Sequence, residues 1–184
     1  QIIGNTISEN GGGGISINFN SSPLISGNII SMNGGQPGEN AAITIGNDSK
    51  PLITGNQIIN NPVHGILVYG ESLPSILGNT ITGNGAAFTV GGVGITVSPT
   101  NANVAPIISG NTISQNTGHG VSSGGVVRLS NNTIINNPKD VTLGAANNGG
   151  LAYMSFNTAN VVGGVGSFAG QYNVKSDGTP LTLP

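Results

Sequence analysis

One phrase returns six times along the chain: Gly4-Asn5-Thr6-Ile7, Gly27-Asn28-Ile29-Ile30, Gly55-Asn56-Gln57-Ile58, Gly78-Asn79-Thr80-Ile81, Gly110-Asn111-Thr112-Ile113 and Asn131-Asn132-Thr133-Ile134. Five residues after each anchor Asn stands another Asn, at Asn10, Asn33, Asn61, Asn84, Asn116 and Asn137. Five residues before the internal anchors come Pro23, Pro51, Pro74 and Pro106, with Val127 in that place for the last. A third element of apolar-x-apolar type follows, as in Ile15-Ser16-Ile17, Ile43-Thr44-Ile45, Ile66-Leu67-Val68 and Ile95-Thr96-Val97, and in weaker form at Val121-Ser122-Ser123 and Val141-Thr142-Leu143. Fixed-period self-similarity of this kind is the mark of a stacked-repeat architecture.

The anchors Asn5, Asn28, Asn56, Asn79, Asn111 and Asn132 stand 23, 28, 23, 32 and 21 residues apart. The excess falls after the second Asn and just before the Pro, as expected for loops set on an invariant frame. Each unit holds three short period-2 segments with one apolar side chain facing in, separated by Gly, Asn and Pro. Segments so short bury nothing alone. Stacked coil on coil as parallel strands about 4.8 Å apart, they enclose a continuous Ile/Val core, which predicts an all-β, three-faced parallel β-helix of about six coils. Asn is expected at the corners for two reasons: it tolerates a left-handed backbone, and its amide can donate to one neighbouring coil while accepting from the other. The column Asn5, Asn28, Asn56, Asn79, Asn111, Asn132 is therefore read as a structural ladder.

These motifs, Pro-x-Ile-x-Gly-Asn-x-Ile-x-x-Asn and the later Gly-Ile-x-Ile, resemble the right-handed parallel β-helix proteins of the pectate lyase superfamily. The resemblance covers residues 1–143 and implies a right-handed solenoid. The superfamily includes lyases, hydrolases, epimerases, adhesins, phage tail spikes and non-enzymatic scaffolds, so the resemblance implies fold more than activity. Gln1 enters partway through a unit, which predicts a piece of a longer protein. Past Leu143 the phrase lapses: residues 144–184 hold Tyr153, Phe156, Phe168 and Tyr172 in a Gly-rich background, read as a cap, irregular further coils or an oligomerisation segment.

Charge restricts function. Four Lys+Arg and six Asp+Glu make 5% of the chain, against about 25% in an ordinary domain. Nucleic acid and anionic membranes therefore find little to bind, and no apolar run approaches the roughly 20 residues of a membrane span. With no Cys, disulfides and thiolate zinc sites are excluded. The resemblance implies catalytic Asp, Arg or Lys on the Gly-Ile-x-Ile face, yet its outward positions are Ser16, Thr44, Leu67, Thr96, Ser122 and Thr142. No catalytic residue is assigned. His64 and His119 share a repeat position with Val93 between them, too far apart for one metal. Gly120-Val121-Ser122-Ser123-Gly124 fits a nucleophile-elbow pattern but falls on a solenoid rung instead of a strand-turn-helix.

Asp48 and Glu71 occupy adjacent coils in the column Asn20, Asp48, Glu71, Asn103, close enough to bind calcium or to resemble a retaining glycosidase pair; otherwise no cofactor or metal is expected. Asn18, Asn20, Asp48, Tyr69, Glu71, Asn101 and Asn103 line one loop edge with the amides, hydroxyl and carboxylates that a sugar-binding surface uses. Rows of Thr and Ser such as Thr80/Thr82 and Thr112/Ser114 are what an ice-binding solenoid would present. Outward Leu24, Leu52 and Ile107 point to side-by-side packing, as a trimer or another homo-oligomer. The expected role is a structural or adhesive segment of a larger extracellular, cell-surface or virion-associated protein, with polysaccharide or copies of itself as partners. The alternatives are part of a polysaccharide lyase, hydrolase or epimerase whose catalytic coils lie elsewhere, and ice binding.

Overall fold

The computed structural model describes residues 1–34, 41–87, 92–99, 105–144 and 151–184. Among them the regular structure is strand, arranged in three sheets of eight, seven and seven strands. The first face runs from Ile2–Ile3 through Leu24–Ser26 to Ser167–Gln171, the second from Thr6–Ser8 to Thr158–Ala159, and the third from Ile15–Ile17 to Val162–Gly164. Every strand within a face pairs in parallel with its counterpart one coil on. The three-faced parallel solenoid expected from the repeat is the observed fold.

Most strands of the first two faces are three residues long with only the central side chain buried. The inward columns are Ile25, Ile53, Ile76 and Ile108 on the first face and Ile30, Ile58, Ile81 and Ile113 on the second, all fully buried. Each such Ile contributes roughly 1.5 to 3 kcal/mol on leaving water. Stacking like on like also keeps neighbouring β-branched side chains in one shape, which suits the pleated surface.

Two Asn ladders run up the inside corners. Asn28 donates both its backbone N–H and its Nδ2 to Asn56 Oδ1, each at 2.9 Å, and Nδ2 also reaches back to the Ile2 carbonyl at 2.9 Å. Asn56, Asn79, Asn111 and Asn132 repeat the pattern. The second ladder links Asn10, Asn33, Asn61, Asn84, Asn116 and Asn137 in the same way. Its donors close on Asp140 Oδ1.

One expectation is corrected. None of Asn5, Asn28, Asn56, Asn79, Asn111 and Asn132 has positive φ; the left-handed residue is the one before each, such as Gly27 (φ 63°), Gly55 (φ 63°) or Gly110 (φ 66°). The same holds at the second corner, where Met32, Asn60 and Gln115 are left-handed just before Asn33, Asn61 and Asn116. The turn is made first, and the ladder Asn, back in an ordinary conformation, then points its amide inward.

A third, shorter ladder escaped the sequence reading: Ser21 N–H donates to Ser49 Oγ and Ser49 N–H to Ser72 Oγ, both at 3.2 Å. Its signal was present, since each of these Ser stands two residues before Pro23, Pro51 or Pro74. The frame also continues past Leu143. Strands Leu151–Ser155, Thr158–Ala159, Val162–Gly164 and Ser167–Gln171 extend the three faces, and Asn157 and Asn173 extend the first ladder. The repeat phrase does not detect these coils because Phe156 and Tyr172 stand where Gly stands in the earlier ones. Residues 174–184 fold back over the end, with Leu181 and Leu183 packed against the core.

Candidate functional site

The loop edge after the third face gathers the sequence-assigned residues on the first three coils. Because Ser21, Ser49 and Ser72 are in ladder register, the residues before them, Asn20, Asp48 and Glu71, form one column. All three side chains are exposed. Asn20 and Asp48 are held at φ 57° and 63°, and Glu71 follows Gly70 at φ 66°. These left-handed corners turn the three side chains outward as a row.

Beside that row, Tyr69 ties three coils together. Its hydroxyl donates to Asn18 Oδ1 at 2.9 Å, and Asn47 Nδ2 donates to the same oxygen at 3.4 Å. Asn18 in turn donates to Ser16 Oγ at 2.8 Å. The Tyr69 ring lies across Gly46, where an added Cβ would fall 2.0 Å from a ring carbon. Gly46 is thus the seat that lets a bulky ring lie flat on the edge. The phenol and the Asn18 amide are already committed to each other, so Tyr69 and Asn18 act as a clamp while Asn20, Asp48 and Glu71 remain free to meet a ligand. Asn101 and Asn103 lie outside the described residues. No group of three or more His, Cys, Asp or Glu forms among the described residues; calcium at Asp48 and Glu71 would therefore take its remaining oxygens from amides, carbonyls and water.

The two His are apart and separately engaged. His64 Nδ1 accepts the Val93 N–H at 2.8 Å, and His119 Nδ1 lies 3.0 Å from Thr142 Oγ1. Burial lowers the pKa of both below the ordinary 6.5, and at His119 the nearby Lys139 charge lowers it further. A folded pKa below the unfolded value means that the unfolded chain takes up protons first as pH falls. Stability is therefore full above about pH 6.5 and declines as pH drops from there through the folded values. An unfolding midpoint that falls between about pH 7 and pH 5 is expected. His64→Gln, whose amide oxygen can still accept from Val93, should flatten part of that fall, and an unchanged slope would contradict the assignment.

The outward faces carry little charge. The third face presents Ser16, Thr44, Leu67, Thr96, Ser122 and Thr142 in register. Ser122, the central Ser of the elbow-like motif, lies within the strand His119–Ser123 in register with Thr96 and Thr142, while its neighbour Ser123 is buried with Oγ donating to the Gly125 carbonyl at 2.9 Å. On the first face the apolar column is interrupted, for Ser75 stands between Leu52 and Ile107 and Arg128 follows. On the second face Thr80, Thr112, Thr133 and Thr158 follow one another, but Ile29 and Gln57 break the same column lower down, and the neighbouring column reads Ile59, Thr82, Ser114 and Ile135.

Residues 1–105 match a family model described as a right handed beta helix region. No curated protein and no solved structure matches the chain.

Proposed function

This chain belongs to the right-handed β-helix family, and we propose that it serves as a rigid recognition segment of an extracellular, cell-surface or virion-associated protein, binding polysaccharide along the Asn20, Asp48 and Glu71 row. The observation that carries this reading is the row itself: three exposed polar side chains at or just after left-handed corners, one coil apart, over a Ser ladder. A row fixed by the backbone loses little conformational entropy on meeting an extended chain, which favours binding by preorganisation. The repeat distance of about 4.8 Å per coil is close to the length of a sugar residue, so successive coils can read successive units. Copies of the same chain, side by side or as a trimer, would multiply such weak contacts.

A second reading keeps its place because Asp48 and Glu71 are adjacent in the column: a pair of carboxylates on neighbouring coils supplies the two groups that glycoside hydrolysis uses. The broken hydroxyl columns of the second face favour ice binding less, since a flat lattice match needs two continuous rows.

One assay separates these readings. The chain is passed over immobilised neutral and acidic polysaccharides, and both retention and new reducing ends are scored. Retention without new ends, lost in the Asp48→Ala/Glu71→Ala double variant, is the expected result. New ends that vanish in the same variant would replace recognition by hydrolysis. No retention, or retention that survives the double variant, would remove the row as the binding site.

A further inference from the structure

The corner before each Asn of the first ladder has the same backbone in every coil, with φ between 55° and 68°. In the first five coils its occupant is Gly and in the sixth Asn131; the last two are Phe156 and Tyr172. A Cβ at Gly4, Gly27, Gly55 or Gly78 would meet nothing within 4 Å. The corner therefore opens to solvent, and backbone angle is the whole objection to a side chain there. For a bulky residue that angle is a genuine outlier. Burial does not compensate, because Phe156 and Tyr172 are 59% and 65% exposed. Their rings stack at 5.0 Å between centroids and 11° between planes, and one exposed ring pair offsets only part of two strained corners. Strain kept at a surface, without repayment in the core, points to use.

The end of this stack adjoins a cleft. Tyr172 lines a space of about 540 Å³ together with Gln171, Val174, Pro180, Leu181 and Leu183. The lining is mostly apolar and carries no charged side chain, and it includes the exposed Gln171 and the buried ladder residue Asn173. Phe156 covers one face of the Tyr172 ring. Tyr153, one row away on the first face, has Arg128 over its ring at 5.1 Å, so of the two tyrosines at this end Tyr172 is the one that borders the cleft.

We infer that the Phe156–Tyr172 corner and its cleft form a glycan subsite that takes one pyranose residue of a neutral saccharide. A pyranose with several axial C–H bonds on one side lays that side on an electron-rich ring, and its equatorial hydroxyls meet amide donors and acceptors at the edge. The cleft is of small-ligand size. The subsite lies on the last coils, apart from the Asn20–Glu71 row on the first three, and does not depend on it.

The same column supplies the test, because Gly is the residue that five other coils carry there. β-Linked gluco- and galacto-configured tetrasaccharides are titrated onto the full chain. Binding is read from upfield shifts of the sugar C–H protons and from tyrosine emission, which three Tyr and no Trp leave unobscured. Saturable upfield shifts are expected with the parent chain. Tyr172→Gly should weaken binding about tenfold or more, with an unfolding midpoint at or above the parent's because the strained corner is relieved. The titration is repeated in the Asp48→Ala/Glu71→Ala background, where the row contributes nothing, and Tyr172→Gly should weaken the shifts there by the same factor. Three results would overturn the inference: no shift with any tetrasaccharide, equal binding by Tyr172→Gly, or a midpoint clearly lowered in Tyr172→Gly and Phe156→Gly, which would make the ring pair a structural clasp.

Discussion

Replacing Asn79 by Leu is expected to lower the unfolding free energy by about 3 kcal/mol, with the midpoint in denaturant falling and the slope unchanged. Asn79 sits mid-ladder, almost fully buried. Its Oδ1 accepts from Asn56 N–H at 2.9 Å and from Asn56 Nδ2 at 3.0 Å. Its Nδ2 donates to the carbonyls of Ile53 at 2.9 Å and Leu77 at 3.2 Å and to Asn111 Oδ1 at 3.0 Å. Leu conserves much of the volume, so the loss is polar. Asn56 Nδ2 keeps the carbonyls of Ile25 and Thr54, and Asn111 Oδ1 keeps the backbone donor of residue 79. The Asn56 N–H is left buried without its acceptor, and each group stranded in this way costs about 1 to 3 kcal/mol. Asn5→Leu is the internal control: Asn5 is exposed at the first coil, water replaces what is lost, and the change should stay within about 0.5 kcal/mol. Equal effects at the two positions would mean that the ladder does not stabilise by burial.

The ladder was legible in the sequence because its phrase recurs: a corner amide that must meet its copy one coil away can tolerate no drift in register, so Asn5 through Asn132 keep one local phrase while the loops between them vary in length. The inward Ile columns are legible for the same reason. What the phrase could not reveal was which corner residue bears the left-handed backbone. Gly27 and Asn28 are both residues that accept it, and only the hydrogen-bond direction separates the residue that turns from the residue that bonds. The Ser21, Ser49 and Ser72 ladder was hidden by chemistry, since Ser is common in loops and a single hydroxyl acceptor leaves a weaker imprint than a whole amide. The last coils were hidden by Phe156 and Tyr172, which break the Gly-Asn phrase while leaving Asn157 and Asn173 in place. At the candidate site, Asn20, Asp48 and Glu71 could be aligned from the Pro-anchored column alone. The engagement of Tyr69 with Asn18 could not, because it spans 51 residues and depends on a ring lying over Gly46.

Asp140→Ala is expected to cost about 3 to 5 kcal/mol, a larger effect than any single ladder Asn. Asp140 is 1% exposed and in register with Gly120, whose added Cβ would fall 2.8 Å from Asn137 Nδ2 and 2.6 Å from the Asp140 carbonyl. In earlier coils that position is Gly14, Ala42, Gly65 or Gly94, and at the three Gly an added Cβ would crowd the Asn amide of the next coil. The coil after Asn137 is short, and its corner Asn160 is exposed with Oδ1 accepting from Ser176 N–H instead of joining the ladder, so the ladder needs another end. Each ladder Asn passes two donors forward, and the terminal residue must accept without having to donate. A carboxylate does this. Oδ1 takes Asn137 N–H at 3.3 Å and Nδ2 at 3.1 Å, and Oδ2 takes the N–H groups of Asn160 at 2.7 Å and Val161 at 3.1 Å. Ala removes all four acceptor contacts at once, whereas Asn keeps the shape but aims an NH₂ at two donors, for an expected loss of about 1 to 3 kcal/mol. Equilibrium denaturation gives the ranking, and amide exchange locates it, with protection lost first at Asn160 and Val161. A ranking in which Asn is worse than Ala would mean that the amide clashes where the empty site hydrates, and the ladder would then end on water.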